Sequence, residues 1–296
     1  MEILENTLTP NSGKTCAITG ASGFVGKTIA SHLVKLGWKV LDLGRKPCGL
    51  AQTEHYLWHL GDPLPQGVGQ SATGLVHCAW AMNLQGSWKT KLTNVEGSIR
   101  LLSSARAAGI DKVIFVSSMS AHLEAVSQYA LSKLKVEEEA RRLGAYIVRP
   151  GLVFSEHPQG MISSIRRIVE IAPIVPILSG GKQKLYPCYD KDLANFITTI
   201  LTPQCPIPAG VPLVAAHPAG QEFATILANC AKMLKKHTTF INIPWRWAWL
   251  LLKGLEVIGF RPKMSSDSLL GLVYYDRSPQ FIPEVSRYFL TPLKVD

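Results

Sequence analysis

The run Cys16-Ala-Ile-Thr-Gly20-Ala-Ser-Gly23-Phe-Val-Gly26 limits the fold more than any other stretch. Apolar residues stop at Thr19, and glycines spaced three apart lead straight into a helical pattern. A strand that passes into a helix through such a loop opens a βαβ unit. One glycine allows the tight turn, the second lets the backbone approach a pyrophosphate, and the third lets helix and sheet pack closely, with the helix N-terminus facing the negative charge. The expected ligand is a nucleotide held by Gly20, Ser22, Gly23, Phe24, Val25 and Gly26. A glycine triplet also serves as a plain turn, so its context has to decide.

Helical spacing of Ile29, Leu33 and Leu36 predicts a helix over 25–36 that Gly37 ends, and 38–43 reads as the next strand. Arg45 and Lys46 stand at that strand's exit, where a dinucleotide fold reads the adenosine ribose. Basic groups there suit a 2′-phosphate, and Asp42 lies two residues before Gly44, inside the strand, so NADP is expected over NAD. A further strand is predicted over 56–60, followed by Asp62, a candidate for the adenine edge or simply a turn former. The uninterrupted apolar run 74–79 predicts a strand buried on both faces, with Ala79 a candidate cofactor contact at its end and His77 a hydrogen-bonded core residue.

A helix is predicted over 92–108 with Val95, Ile99, Leu102, Ala105 and Arg106 around its face, and a strand over 112–116 delivers Ser117 and Ser118 at its carboxyl end. Ligands bind at the carboxyl ends of strands in open α/β sheets. The helix predicted over 127–142 carries Tyr129 and Lys133 four apart, hence on one face. A phenol titrates near pH 10, so a nearby ammonium and a cationic ring are needed to favour its ionised form. Lys133 could supply the ammonium, Ser118 could hold a substrate oxygen, and Tyr129 could move a proton while hydride is transferred.

Thr19-Gly20-Ala-Ser-Gly23-Phe-Val-Gly26, Asn94-Val-Glu-Gly97 with Leu101-Leu102, Val116-Ser117-Ser118, Tyr129-Ala-Leu-Ser-Lys133, Val148-Arg149-Pro150-Gly151 and Tyr189-Asp190-Lys-Asp192 follow one another in order over roughly residues 14 to 200. In this the chain resembles the extended or atypical branch of the short-chain dehydrogenase/reductase superfamily, with its sugar-nucleotide epimerases and dehydratases. The resemblance implies an α/β fold: a Rossmann-type doubly wound parallel sheet over 13–202 and a smaller C-terminal substrate-binding lid over 203–296, with 155–188 contributing to the substrate side. It implies that Tyr129 is the catalytic acid/base, that Lys133 lowers its pKa and holds the nicotinamide ribose, and that Ser118 orients the substrate. Ser117, Pro150 and Leu152 are implied as cofactor contacts, with Arg45 matching members that prefer NADP. Tyr129 follows Ser118 by only eleven positions, and His122-Leu123 replaces the branch's Tyr-Gly pair, which sets the chain apart from the sugar-nucleotide enzymes.

A helix is predicted over 161–171, prolines and glycines break 173–181, and 190–201 returns as a helix with Asp192 near its stabilising N-terminal end. The stretch Trp245-Arg-Trp-Ala-Trp to Phe260 is too short and too charged to span a bilayer. It reads either as a helix covering the lid or as a weak contact with a membrane surface. Arg261 and Arg277 are candidate contacts for an anionic substrate. The formal charge of +10 in 296 residues fits an anionic small molecule or a membrane surface, whereas its even spread and the lack of a reading motif argue against nucleic acid. Six scattered cysteines form no ligand cluster, so no metal is expected, and the acidic N-terminus reads as a cytoplasmic start. A homodimer is left open. The functions weighed are an oxidoreductase or epimerase acting on a carbonyl/hydroxyl substrate, a sugar nucleotide among them, a non-catalytic NADP-binding regulatory or accessory subunit, and a peripheral membrane enzyme acting on a lipid or sterol-type alcohol.

Overall fold

A computed structural model describes residues 14–81, 88–156, 159–260, 262 and 264–293. The chain opens with β1 (Thr15–Thr19), α1 (Phe24–Lys35), β2 (Lys39–Gly44), β3 (Thr53–Leu57), α2 (Gln66–Ser71), β4 (Gly74–His77), α3 (Trp88–Ala107) and β5 (Lys112–Val116). It continues through α4 (Gln128–Arg142), β6 (Tyr146–Pro150), β7 (Leu152–Phe154), α5 (Gly160–Ile171), β8 (Ile174–Leu178), β9 (Lys184–Leu185), β10 (Pro187–Tyr189) and α6 (Asp190–Leu201). The last elements are β11 (Pro212–Ala215), β12 (Gln221–Glu222), α7 (Phe223–Met233), β13 (Thr239–Ile243), α8 (Trp245–Val257), α9 (Ser266–Val273) and α10 (Pro283–Ser286). Arg261 lies outside the described residues.

The central sheet has the order β11-β6-β5-β4-β1-β2-β3, and its pairings from β5 through β3 are parallel. This is the doubly wound order in which the direction of winding reverses between β1 and β4, so that a crevice opens beyond their carboxyl ends. β1 and β4 are buried along their whole length, as expected for strands with helices on both faces.

Contacts divide the chain into two units. The first contains Met1–Val116, Glu139–Ile147 and Ala194–Val211, and the second contains Ser117–Glu138, Val148–Leu193 and Pro212–Asp296. In the second, α5 and α7 pack together with β7 and β8 over Phe154, Ile165, Val169, Ile226 and Leu227.

Two elements depart from the sequence reading for physical reasons. The third strand is Thr53–Leu57, not 56–60, because Trp58 turns inward and its Nε1 donates to the carbonyls of Asp62 and Pro63, which ends the strand. This edge strand is mostly exposed, and Lys39 pairs with Glu54 across it at 2.7 Å. On α3 the buried side carries Asn94, Gly97, Ser98, Leu101, Leu102 and Ala105, while Val95 and Ile99 are half-buried. Polar partners, not apolar spacing, set that face: Ser98 meets His77 Nε2 at 2.8 Å and donates to the Asn94 carbonyl at 2.6 Å.

Candidate active site

The first group of site residues stands at the carboxyl ends of β1, β2 and β4. Gly20 has a φ of +72°, and a Cβ there would lie 2.8 Å from the Ala79 amide nitrogen, so no larger residue fits where these two loops meet. The Gly23 amide donates to the Gly20 carbonyl at 2.9 Å, which folds the loop back on itself. A Cβ on buried Gly26 would overlap that same carbonyl oxygen, so α1 packs this closely on the loop only with glycine there.

Gly23 is the N-cap of α1, and no side chain among the described residues caps it, nor does an acid occupy the first turn. Exposed Ser22 and half-buried Phe24 and Val25 surround this open end. An uncapped N-terminus with a glycine cradle in front of it suits an anion, and a dinucleotide's pyrophosphate therefore fits these residues.

Arg45 and Lys46 are exposed just beyond β2, and Arg45 forms no ion pair among the described residues. Asp42 is buried within β2; its Oδ2 accepts from the Cys48 amide at 2.7 Å and lies 3.3 Å from His55 Nδ1. The acid that could have competed for a ribose hydroxyl thus folds the turn that presents Arg45. Asp62 does similar work in its own turn, its Oδ2 accepting from the His59 amide at 2.8 Å while the side chain stays half exposed.

A directional hydrogen-bond chain fixes the end of β4. Ser98 donates to the Asn94 carbonyl, so it accepts from His77 Nε2, and His77 Nδ1 hydrogen-bonds Thr19 Oγ1 at 2.6 Å. Thr19 Oγ1 in turn accepts from the Ala79 amide at 3.2 Å. His77 is therefore the buried, hydrogen-bonded core residue expected of it. Asn94 holds the Ala81 amide and carbonyl at 2.9 and 3.1 Å.

The second group surrounds Tyr129 and Lys133. Ser118 lies just past β5, its Oγ accepting from the Ser120 amide at 3.2 Å and sharing a proton with the Ser120 hydroxyl at 2.9 Å. Its hydroxyl also hydrogen-bonds the Tyr129 phenol. Lys133, one turn further along α4, is buried with Nζ 5.9 Å from the centre of the Tyr129 ring. The three residues are thus brought together as their order implied.

The protonation of Tyr129 differs from expectation. Burial pushes the phenol up to about 12, and the Ser118 hydrogen bond opposes this only in part. In this arrangement desolvation is the larger influence and holds the phenol above its ordinary value.

The buried hydroxyl of Ser117 donates to Glu137, whose carboxylate receives Arg149 Nε at 2.9 Å and Nη2 at 2.6 Å. Pro150 accepts from the Met119 amide at 3.0 Å, and the side chain of Leu152 belongs to the apolar core.

The sequence reading missed two residues that shape this group, Glu137 and Asp267, and noted a third, His122, only for departing from the branch's Tyr-Gly pair. Glu137 was within its reach, being four residues after Lys133 on the same face of α4. Asp267 was not, because it acts across 138 positions: its carboxylate accepts from the Gln128 amide at 2.6 Å and the Tyr129 amide at 3.1 Å. His122 is likewise engaged far along the chain, with Nε2 donating to the Tyr274 carbonyl at 2.8 Å.

Comparison with known proteins adds a family and a fold. Residues 16–208 match the model of the NAD dependent epimerase/dehydratase family. A ceramide reductase of Caulobacter vibrioides is 25% identical over 269 residues, covering 86% of this chain and 81% of that protein. A UDP-glucose 4-epimerase from Thermotoga maritima superposes with a TM-score of 0.64 at 17% identity, covering 87% of this chain and 96% of that one. A short-chain dehydrogenase/reductase superfamily protein from Agrobacterium tumefaciens with bound NAD gives a TM-score of 0.65 at 18% identity, covering 93% and 96%.

Proposed function

Since the chain belongs to the NAD dependent epimerase/dehydratase family, we propose that it is an NADP-dependent oxidoreductase that reduces a carbonyl, or oxidises the matching alcohol, on a small-molecule substrate. The observation that carries this reading is the Tyr129 phenol hydrogen-bonded to Ser118 with buried Lys133 one turn away. The dinucleotide, when bound, supplies the hydride chemistry. Gly20, Gly23 and Gly26 with the open N-terminus of α1 hold its pyrophosphate, and Arg45 answers the 2′-phosphate while Asp42 is occupied by Cys48 and His55.

Ser118 orients the substrate oxygen, and Tyr129 gives that oxygen a proton as the carbonyl carbon is reduced. In the reductive direction the phenol, protonated at neutral pH, is the source of that proton. Lys133 holds the nicotinamide ribose, as the family resemblance implies. A long-chain lipid ketone or alcohol is the favoured substrate class over a sugar nucleotide. The short Ser118–Tyr129 segment with His122 bonded to Tyr274, and the likeness to a protein named a ceramide reductase, both support this.

Tyr129→Phe tests the assignment. NADPH consumption on a panel of long-chain ketones and UDP-sugars is expected to fall by about a hundredfold or more, the range of general acid catalysis, while NADPH binding followed by fluorescence stays within about twofold. Retained turnover would remove Tyr129 from its role.

A further inference from the structure

Helix α8 is half in the protein and half out of it. Its inner side is built by Trp245, which meets Tyr274 edge-on at 5.8 Å, and by Glu256, whose carboxylate accepts from the Ser266 amide and hydroxyl at 2.7 Å each. Its other side is apolar and exposed: Trp247 is 70% exposed, Leu250 54%, Leu251 65%, Val257 78% and Ile258 77%, with Phe260 following at 58%. The spacing of three and four along 247, 250, 251, 254, 257 and 258 places these positions on a single face. The expectation of a helix covering the lid is therefore met by only one of its sides, and no residue of α8 is buried.

We infer that this face docks on the surface of a bilayer containing anionic lipids. Charge selects that partner. Arg246 and Lys253 are exposed beside the apolar face, Arg246 lying 5.7 Å over the Trp245 ring, while Glu256, the one acid of α8, is turned inward to Ser266 and also lies 3.9 Å from Lys253 Nζ, which leaves Arg246 as the cation of this helix best placed to meet lipid phosphate. The whole chain carries +10, which a negative surface attracts and a second copy of itself repels.

Area argues the same way. Thirteen residues make a helix of about 20 Å, and a strip about 10 Å wide presents on the order of 200 Å². A stable protein dimer needs about 800 Å² from each partner. An interfacial helix needs no such area, because tryptophan and aliphatic side chains enter the headgroup boundary while flanking cations meet lipid phosphates. Among the described residues no helix is long and apolar enough to cross the membrane, so the contact is a surface one. The docking face is tied to the site helix, since Glu256 holds Ser266 and the next residue, Asp267, caps α4 at Gln128 and Tyr129.

Vesicle flotation with the full chain tests this independently of any turnover. With vesicles of phosphatidylcholine and phosphatidylglycerol the protein is expected to float, and raising the salt is expected to weaken binding severalfold. Leu251→Asp is expected to reduce binding at least tenfold, and Arg246→Glu with Lys253→Glu to remove the preference for phosphatidylglycerol over pure phosphatidylcholine. Because these side chains are exposed, far-UV circular dichroism and NADPH binding should be unchanged in every variant. Absence of flotation, flotation indifferent to Leu251→Asp, or a concentration-dependent dimer that Leu251→Asp dissolves would overturn the inference.

Discussion

Replacing Asp267 by alanine removes a cap that the chain supplies to α4, the helix of Tyr129 and Lys133, from far away. The carboxylate accepts from the first two amides of α4, at 2.6 Å from Gln128 and 3.1 Å from Tyr129, groups that have no acceptor within the helix. Ser127 Oγ takes only the Ala130 amide, at 3.2 Å, and cannot stand in for it. A side-chain cap contributes about 1 kcal/mol, and a negative charge at the positive end of a helix adds about 0.3–1 kcal/mol. Gln128 is exposed, so water recovers part of its bond. The expected loss for Asp267→Ala is therefore about 1–2 kcal/mol. Asp267→Asn, which keeps an acceptor oxygen and loses the charge, should cost about half as much. Urea unfolding at neutral pH reads both numbers. Since Tyr129 lies in the first turn of α4, kcat should fall in Asp267→Ala with KM for the cofactor unchanged, and Asp267→Asn should recover part of it. A stability change for Asp267→Ala below about 0.3 kcal/mol, smaller than any capping contribution, would refute the reasoning.

Alkali should destabilise the protein through Tyr129. Because the folded phenol is pushed up to about 12 from an ordinary value near 10, the unfolded chain loses its proton first, and stability falls as pH rises from 10 to 12. The shift is worth about 2–3 kcal/mol, so urea midpoints should drop more steeply in the wild type than in Tyr129→Phe over that window, and equal slopes would contradict the buried phenol. Arg45→Ala should weaken NADPH about tenfold to a hundredfold, the worth of one charge-assisted bond, and leave NADH unchanged in fluorescence titration. Arg149→Met strands the buried Glu137 carboxylate and should cost about 3–5 kcal/mol in urea unfolding, with Ser117→Ala alone costing much less.

What could be read from the sequence and what could not divides by the range of the interaction. The glycine loop, the order of the strands and the Tyr129–Lys133 spacing are local patterns, and each glycine is explained by an atom within the same turn or the neighbouring strand, such as the Gly20 carbonyl beneath Gly26. The face of α3 was misread because apolar periodicity assumes that buried means apolar, whereas Asn94 and Ser98 are buried to satisfy His77 and the backbone at Ala81. The engagement of the Ser117 hydroxyl was not legible, because nothing local says that Glu137 and Arg149 claim it. Asp267 shows the limit most clearly. An acid in the first turn of α9 reads as a cap for its own helix, and only the fold brings it to α4. It follows that the protonation of Tyr129 was also beyond the sequence. The motif supplied the partners, Ser118 and Lys133, but the upward direction of the shift comes from the phenol's removal from water in the folded chain, which no local pattern shows.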